Sequence, residues 1–122
     1  MYEVSVQMTF SAAHRLRGYQ GRCENLHGHN YRVEVVAAAE KLDDCGLAVD
    51  FGVLKQLLGQ VLDRFDHADL NELEEFARVN PSAENIARVI FEGLAAVWPL
   101  ERARLASVSV WESEASRATY HE

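Results

Sequence analysis

Apolar and polar residues alternate without a break from Tyr2 to His14. Tyr2, Val4, Val6, Met8, Phe10 and Ala12 fall on one face, and Glu3, Ser5, Gln7, Thr9 and Ser11 on the other. A period of two predicts a half-buried strand, because successive side chains of extended chain point to opposite sides. Continuing the alternation puts His14 at the end of the apolar face, aimed at the interior. The same period returns at His27, with His27, His29, Tyr31, Val33, Val35 and Ala37 on one face and Arg32 and Glu34 on the other. A Gly- and Arg-containing loop, residues 15 to 26, joins the two strands. Antiparallel pairing would bring the end of the first against the start of the second, gathering three histidines.

Beyond the turn-rich stretch Lys41-Leu-Asp-Asp-Cys-Gly46 the apolar spacing changes to three and four. Asp50 is the expected N-cap of a helix whose buried stripe is Val53, Leu54, Leu57, Leu58, Val61, Leu62 and Phe65. A second helix is signalled at Pro81-Ser82, with Ser82 as N-cap and Glu84 in the positive first turn. Its stripe is Ile86, Ile90, Leu94, Val97 and Trp98, ended by Pro99. From Leu105 the period is two again, with Ala106, Val108 and Val110 opposite Ser107 and Ser109, followed by a short closing strand around Ala118-Thr119-Tyr120. The predicted order is ββααββ in one domain, residues 1–122. It is an α+β fold, with an antiparallel four-stranded sheet and two helices on one face.

Composition supports a folded domain, since 48% of the 122 residues are apolar and 25% charged, inside the range for globular chains. The net charge of −7 argues against a nucleic-acid surface, which needs clustered Lys and Arg. No apolar run approaches the roughly 18 residues that cross a bilayer, and Met1-Tyr-Glu-Val-Ser5 does not read as a leader. The expectation is a cytoplasmic protein without membrane contact, in which Cys23 and Cys45 are thiols. Arg15, Arg17 and Arg22 form one local cationic exception.

Four elements carry chemistry. Neutral imidazole suits Zn²⁺, and His27 and His29, two apart on a strand, project to the same side, with His14 completing the set from the neighbouring strand. Three uncharged ligands leave a fourth position open and keep the ion's full charge, which favours polarising a substrate oxygen. One buried histidine is more often just hydrogen-bonded, but three converging on one point reverse that balance. Cys23, four residues before His27 and beside Arg22, sits where positive charge favours thiolate; it reads as a base, a fourth ligand or an inert thiol. Asp66-His67 follows the first helix and reads either as an acid–base pair or as an imidazolium near a helix C-terminus. Glu112 extends the apolar face of its strand, a costly place for an acid without a partner, and so a candidate ligand contact. His121 reads as surface.

These pieces resemble the 6-pyruvoyl- and 6-carboxy-tetrahydropterin synthase family. The likeness rests on Phe10-Ser-Ala-Ala-His14, Cys23-Glu-Asn-Leu-His-Gly-His29, Val49-Asp-Phe51 with Leu54-Lys55, Asp66-His-Ala-Asp-Leu-Asn71, Asn80-Pro-Ser-Ala-Glu-Asn85 and Val110-Trp-Glu112, in that order. The resemblance implies the tunnelling fold, with sheets of several subunits closing into a barrel, usually in a hexamer of two trimers with active sites at subunit boundaries. It implies zinc on the three histidines and 7,8-dihydroneopterin triphosphate as substrate. It further implies Cys23 as the residue that removes a carbon-bound proton, Asp66 and His67 as a proton relay, and Glu112 as the grip on the amino-pyrimidine edge of the pterin. Ser82 and Glu84 would lie near the pterin, although relatives often carry two threonines where this chain has Ser82-Ala83. Arg15, Arg17 and Arg22 become candidates for the triphosphate, with Arg15 and Arg22 foremost.

The spacing of three residues between Cys23 and His27 resembles bacterial 6-carboxy-tetrahydropterin synthases of the deazapurine (queuosine) route. The expected reaction is a lyase conversion of 7,8-dihydroneopterin triphosphate to 6-carboxy-5,6,7,8-tetrahydropterin, with release of acetaldehyde and triphosphate. Alternatives are a 6-pyruvoyl product, or a 6-hydroxymethyl product if Glu24 joins the chemistry. A reading of another class is a non-catalytic pterin- or metal-binding module. An unrelated zinc hydrolase lacks its His-Glu-x-x-His helix here.

Overall fold

The computed structural model describes residues 1–19, 21 and 24–122. Strand β1, Tyr2–His14, pairs antiparallel with β2, His27–Ala39, from Tyr2 opposite Ala39 to His14 opposite His27. The alternation in the sequence is the alternation of burial. Val6, Phe10, Ala12 and His14 are buried, as are Tyr31, Val33, Val35 and Ala37 across from them. A one-residue slip would turn every one of these side chains to the wrong face, so the hydrophobic pattern fixes the register.

Helix α1, Phe51–Leu62, starts where Asp50 accepts a hydrogen bond from Gly52 N at 2.7 Å, and buries Leu54, Leu58 and Leu62. After it the chain forms a two-residue strand β3, Ala68–Asp69, and two 3₁₀ turns, Leu70–Glu72 and Glu74–Phe76, which bury Leu70 and Phe76. Helix α2, Ala83–Val97, is capped by Ser82, whose Oγ accepts from Asn85 N at 3.2 Å. It buries Ile86, Ala87, Ile90, Phe91 and Leu94, while Val97, expected on its stripe, is exposed because the helix ends there. Strands β4, Arg104–Ser113, and β5, Ser116–Tyr120, follow, both antiparallel to their neighbours.

The fold is α+β as predicted, with α1 packed on β1 and α2 on β4 and β5. The sheet departs from the expectation of four antiparallel strands. Its order is β3-β1-β2-β4-β5, five strands and mixed, because β3 runs parallel to β1 with Ala12 opposite Ala68 and Ala13 opposite Asp69. The sheet is open within the chain. Ser109, predicted on the polar face, is buried and satisfied by Thr119, the two hydroxyls lying 2.6 Å apart. Among the described residues no helix is long and apolar enough to cross a membrane.

Candidate metal centre and active site

The antiparallel register brings His14 beside His27, and period two brings His29 to the same side of the sheet. One ligand nitrogen from each ring lies within 4.8 Å of the others. Two backbone carbonyls fix the rings. His14 Nδ1 lies 2.6 Å from Pro81 O, and His27 Nδ1 lies 2.7 Å from Asn25 O. A carbonyl can only accept, so both Nδ1 atoms carry the proton and both Nε2 atoms present a lone pair.

Those two Nε2 atoms stand 3.0 Å apart, and His29 Nε2 is buried with no hydrogen-bond partner among the described residues. Two facing lone pairs repel each other until a cation sits between them, and the His29 nitrogen lies beside them. Zn–N bonds of about 2.0–2.1 Å in a tetrahedron place ligand nitrogens roughly 3.3 Å apart, near the 3.0 Å between His14 and His27, with all three ligand atoms within 4.8 Å of one another. The donor set therefore fits a divalent metal such as zinc, and the Pro81 and Asn25 carbonyls are the outer partners that metal-bound imidazoles require. Burial, foremost, holds the His29 pKa below its ordinary value, as do the neighbouring imidazoles, while Glu112 pulls the other way. A neutral ring is the form that ligates.

Asn71 and Asn80, quoted in motifs without a role, brace the chain that follows β1. Asn71 Oδ1 accepts from Arg15 N at 2.8 Å, and its Nδ2 donates to Arg15 O at 3.1 Å. Asn80 grips Arg17 in the same way, at 2.8 and 2.9 Å. Each amide thus completes both backbone groups of a residue just past β1, as a neighbouring strand would. The Arg17 guanidinium donates to Phe76 O, to Ala77 O at 3.0 Å and to Val79 O at 2.9 Å. Three of its five N–H groups thus hold the segment that leads to Pro81. Arg15 is exposed. Arg22 and Cys23 lie outside the described residues.

Ser82, Glu84 and Glu112 line one cavity of about 280 Å³ with Leu16 and Ala118. The Glu112 carboxylate is 3.8 Å from His14 Nε2 and 35% exposed, so it is half-buried and not the enclosed acid that the strand pattern suggested. Ser82 has already committed a lone pair to Asn85 N, but its O–H is free to donate.

Asp66 and His67 do touch: His67 Nδ1 is 3.1 Å from Asp66 Oδ1. His67 adopts φ 61°, a left-handed conformation that a bulky residue takes at a cost, pinned by His67 N donating to Ser11 O at 2.5 Å. Asp66 accepts from Ser11 N at 2.9 Å, and this bond, followed by the His67 ring, keeps its carboxyl below the usual carboxylate range. His67 lines an open depression at the β3 edge of the sheet with Ser11, Ala13, Gly28 and Asn30, and His29 of the imidazole cluster borders the same depression. His67 is 82% exposed there.

The sheet, its two helices and the imidazole cluster define a small α+β protein with a three-histidine site able to hold a metal ion. Residues 3–122 match the family model described as 6-pyruvoyl tetrahydropterin synthase. The chain belongs to that family and is an enzyme of it. A 6-carboxy-5,6,7,8-tetrahydropterin synthase of Haemophilus influenzae is 31% identical with both chains covered in full, and its Bacillus subtilis counterpart is 37% identical over 78% of this chain and 66% of its own. The solved structure of the Caenorhabditis elegans 6-pyruvoyl tetrahydropterin synthase superposes with a TM-score of 0.86 at 31% identity, covering 100% of this chain and 97% of that one.

Proposed function

We propose that the chain converts 7,8-dihydroneopterin triphosphate to 6-carboxy-5,6,7,8-tetrahydropterin, with release of acetaldehyde and triphosphate, in the cytoplasm and on the queuosine route. The observation that carries this reading is the facing pair of Nε2 lone pairs on His14 and His27 with the unpaired His29 nitrogen beside them. Zinc bound there would supply Lewis acidity toward the side-chain oxygens of the substrate. The curated relatives with the 6-carboxy name favour this product over others.

The protein's own residues then divide the work. Glu112 accepts the paired N–H groups of the amino-pyrimidine edge, and the cavity shared with Ser82 and Glu84 receives the ring. Cys23 takes the carbon-bound proton. Asp66, held ionised by Ser11 N–H, orients the His67 ring and stabilises its protonated form, so that His67 passes protons to and from the side chain. His67, 82% exposed at the β3 edge of the sheet, would serve the site of a neighbouring copy. The working unit is accordingly a homo-oligomer, a hexamer of two trimers with the open sheets closed into barrels. Arg15 and Arg22 are left for the triphosphate.

Incubating purified protein with 7,8-dihydroneopterin triphosphate and identifying the pterin product tests the assignment. The expected product is the 6-carboxy pterin. A 6-pyruvoyl product, the reading favoured by the Caenorhabditis elegans likeness, or a 6-hydroxymethyl product would overturn it, and binding without turnover would point to a non-catalytic module.

A further inference from the structure

Tyr31 sits on the histidine face of β2, wholly buried, and its hydroxyl has no hydrogen-bond partner among the described residues. Its ring is fully explained by packing. It stacks on Phe10 with centroids 4.9 Å apart and meets the edges of His14 at 5.7 Å and His29 at 5.3 Å. A phenylalanine would fill that space without stranding a hydroxyl, so the oxygen calls for a partner that arrives during function.

The sheet supplies one. Tyr31 and Glu112 flank the same imidazole: Arg32, next to Tyr31, stands opposite Trp111, next to Glu112, on the β2–β4 ladder, and the Tyr31 and His14 ring centroids are 5.7 Å apart. The Glu112 carboxylate lies 3.8 Å from the unprotonated His14 Nε2, and among the described residues no group donates a hydrogen bond to it. A donor in want of an acceptor thus neighbours an acceptor in want of a donor.

We infer that Tyr31 is a positioning residue for Glu112: its O–H donates to one carboxylate oxygen when a pterin occupies the site, setting the carboxylate plane against the amino-pyrimidine edge. A phenol is protonated at neutral pH and so able to donate. The inference rests on the reading of Glu112 as the pterin anchor.

The test uses zinc-loaded wild type, Tyr31→Phe, Glu112→Gln and the double variant, titrated with 7,8-dihydroneopterin by fluorescence. Zinc content and melting temperature are measured alongside. Tyr31→Phe is expected to bind about tenfold more weakly, as loss of a hydrogen bond to a charged group predicts, with zinc content and melting temperature unchanged. The double variant is expected to bind no more weakly than Glu112→Gln alone, because the hydroxyl acts through the carboxylate. Wild-type affinity in Tyr31→Phe beside weak binding in Glu112→Gln would overturn the role of Tyr31 and leave the anchor standing. Multiplying losses in the double variant would show the phenol acting on its own, and zinc loss in Tyr31→Phe would make it a support of the imidazoles; either overturns the inference. Wild-type affinity in Glu112→Gln would instead remove the anchor, and the inference with it.

Discussion

Replacing Arg17 by alanine separates a structural cation from a substrate-binding one. The guanidinium reaches three carbonyls in the segment 76–79, two of them in partly buried bonds, to Phe76 O and Val79 O, and one, to Ala77 O, at the surface. The surface carbonyl regains water when the side chain goes. The other two leave acceptors poorly satisfied, at about 1 kcal/mol or somewhat more each, so the expected loss is roughly 2–3 kcal/mol. For a domain of this size that lowers the melting temperature by roughly 10 °C. The loosened segment also carries Pro81, whose carbonyl fixes the tautomer of His14, so zinc affinity should fall about tenfold. Thermal melts at one protein concentration, with and without chelator, and a competitive zinc titration read both effects. Arg17→Lys should recover little, since an ammonium cannot span three carbonyls. An unchanged melting temperature together with weakened substrate binding would refute the reasoning and return Arg17 to the triphosphate.

Two further predictions concern the relay pair. The Asp66 pKa is depressed in the folded state, first by Ser11 N–H, so its stabilising contribution is present above the ordinary aspartate value and lost as pH falls through the folded one. The stability of the wild type should therefore converge on that of Asp66→Asn below about pH 4, the wild type losing stability faster; parallel curves would contradict the assignment. At His67, φ 61° favours glycine, so His67→Gly should be more stable than His67→Ala by about 1 kcal/mol, the reverse of the usual order, with turnover lost in both. Urea melts and product assays on the two variants check this.

The strands and the metal cluster were legible because both rest on one periodicity. His14, His27 and His29 were found by the same alternation that placed Phe10 and Val33 in the core. Strand β3 was not legible, since two residues have no period, and its existence depends on His67 N reaching Ser11 O. The bracing role of Arg17 was not legible, because its partners are backbone carbonyls about 60 residues away, which leave no mark on residue type. The Asp66–His67 contact was read as optional, since a left-handed φ at histidine is set by tertiary pairing and not by local propensity. The place of His67 at the edge of the sheet likewise follows from the parallel pairing of β3. Tyr31 was assigned to the core on its apolar ring, and the pattern says nothing of where a hydroxyl ends. The signal that could have found Asn71 and Asn80 was their recurrence at the ends of two motifs.

In the proposed function His14, His27 and His29 together hold one catalytic zinc. Calorimetric titration of zinc into chelator-stripped protein should give one saturable equivalent per chain, lost in His29→Ala with the fold retained. Unchanged zinc binding in His29→Ala, or no saturable binding in the wild type, would contradict it.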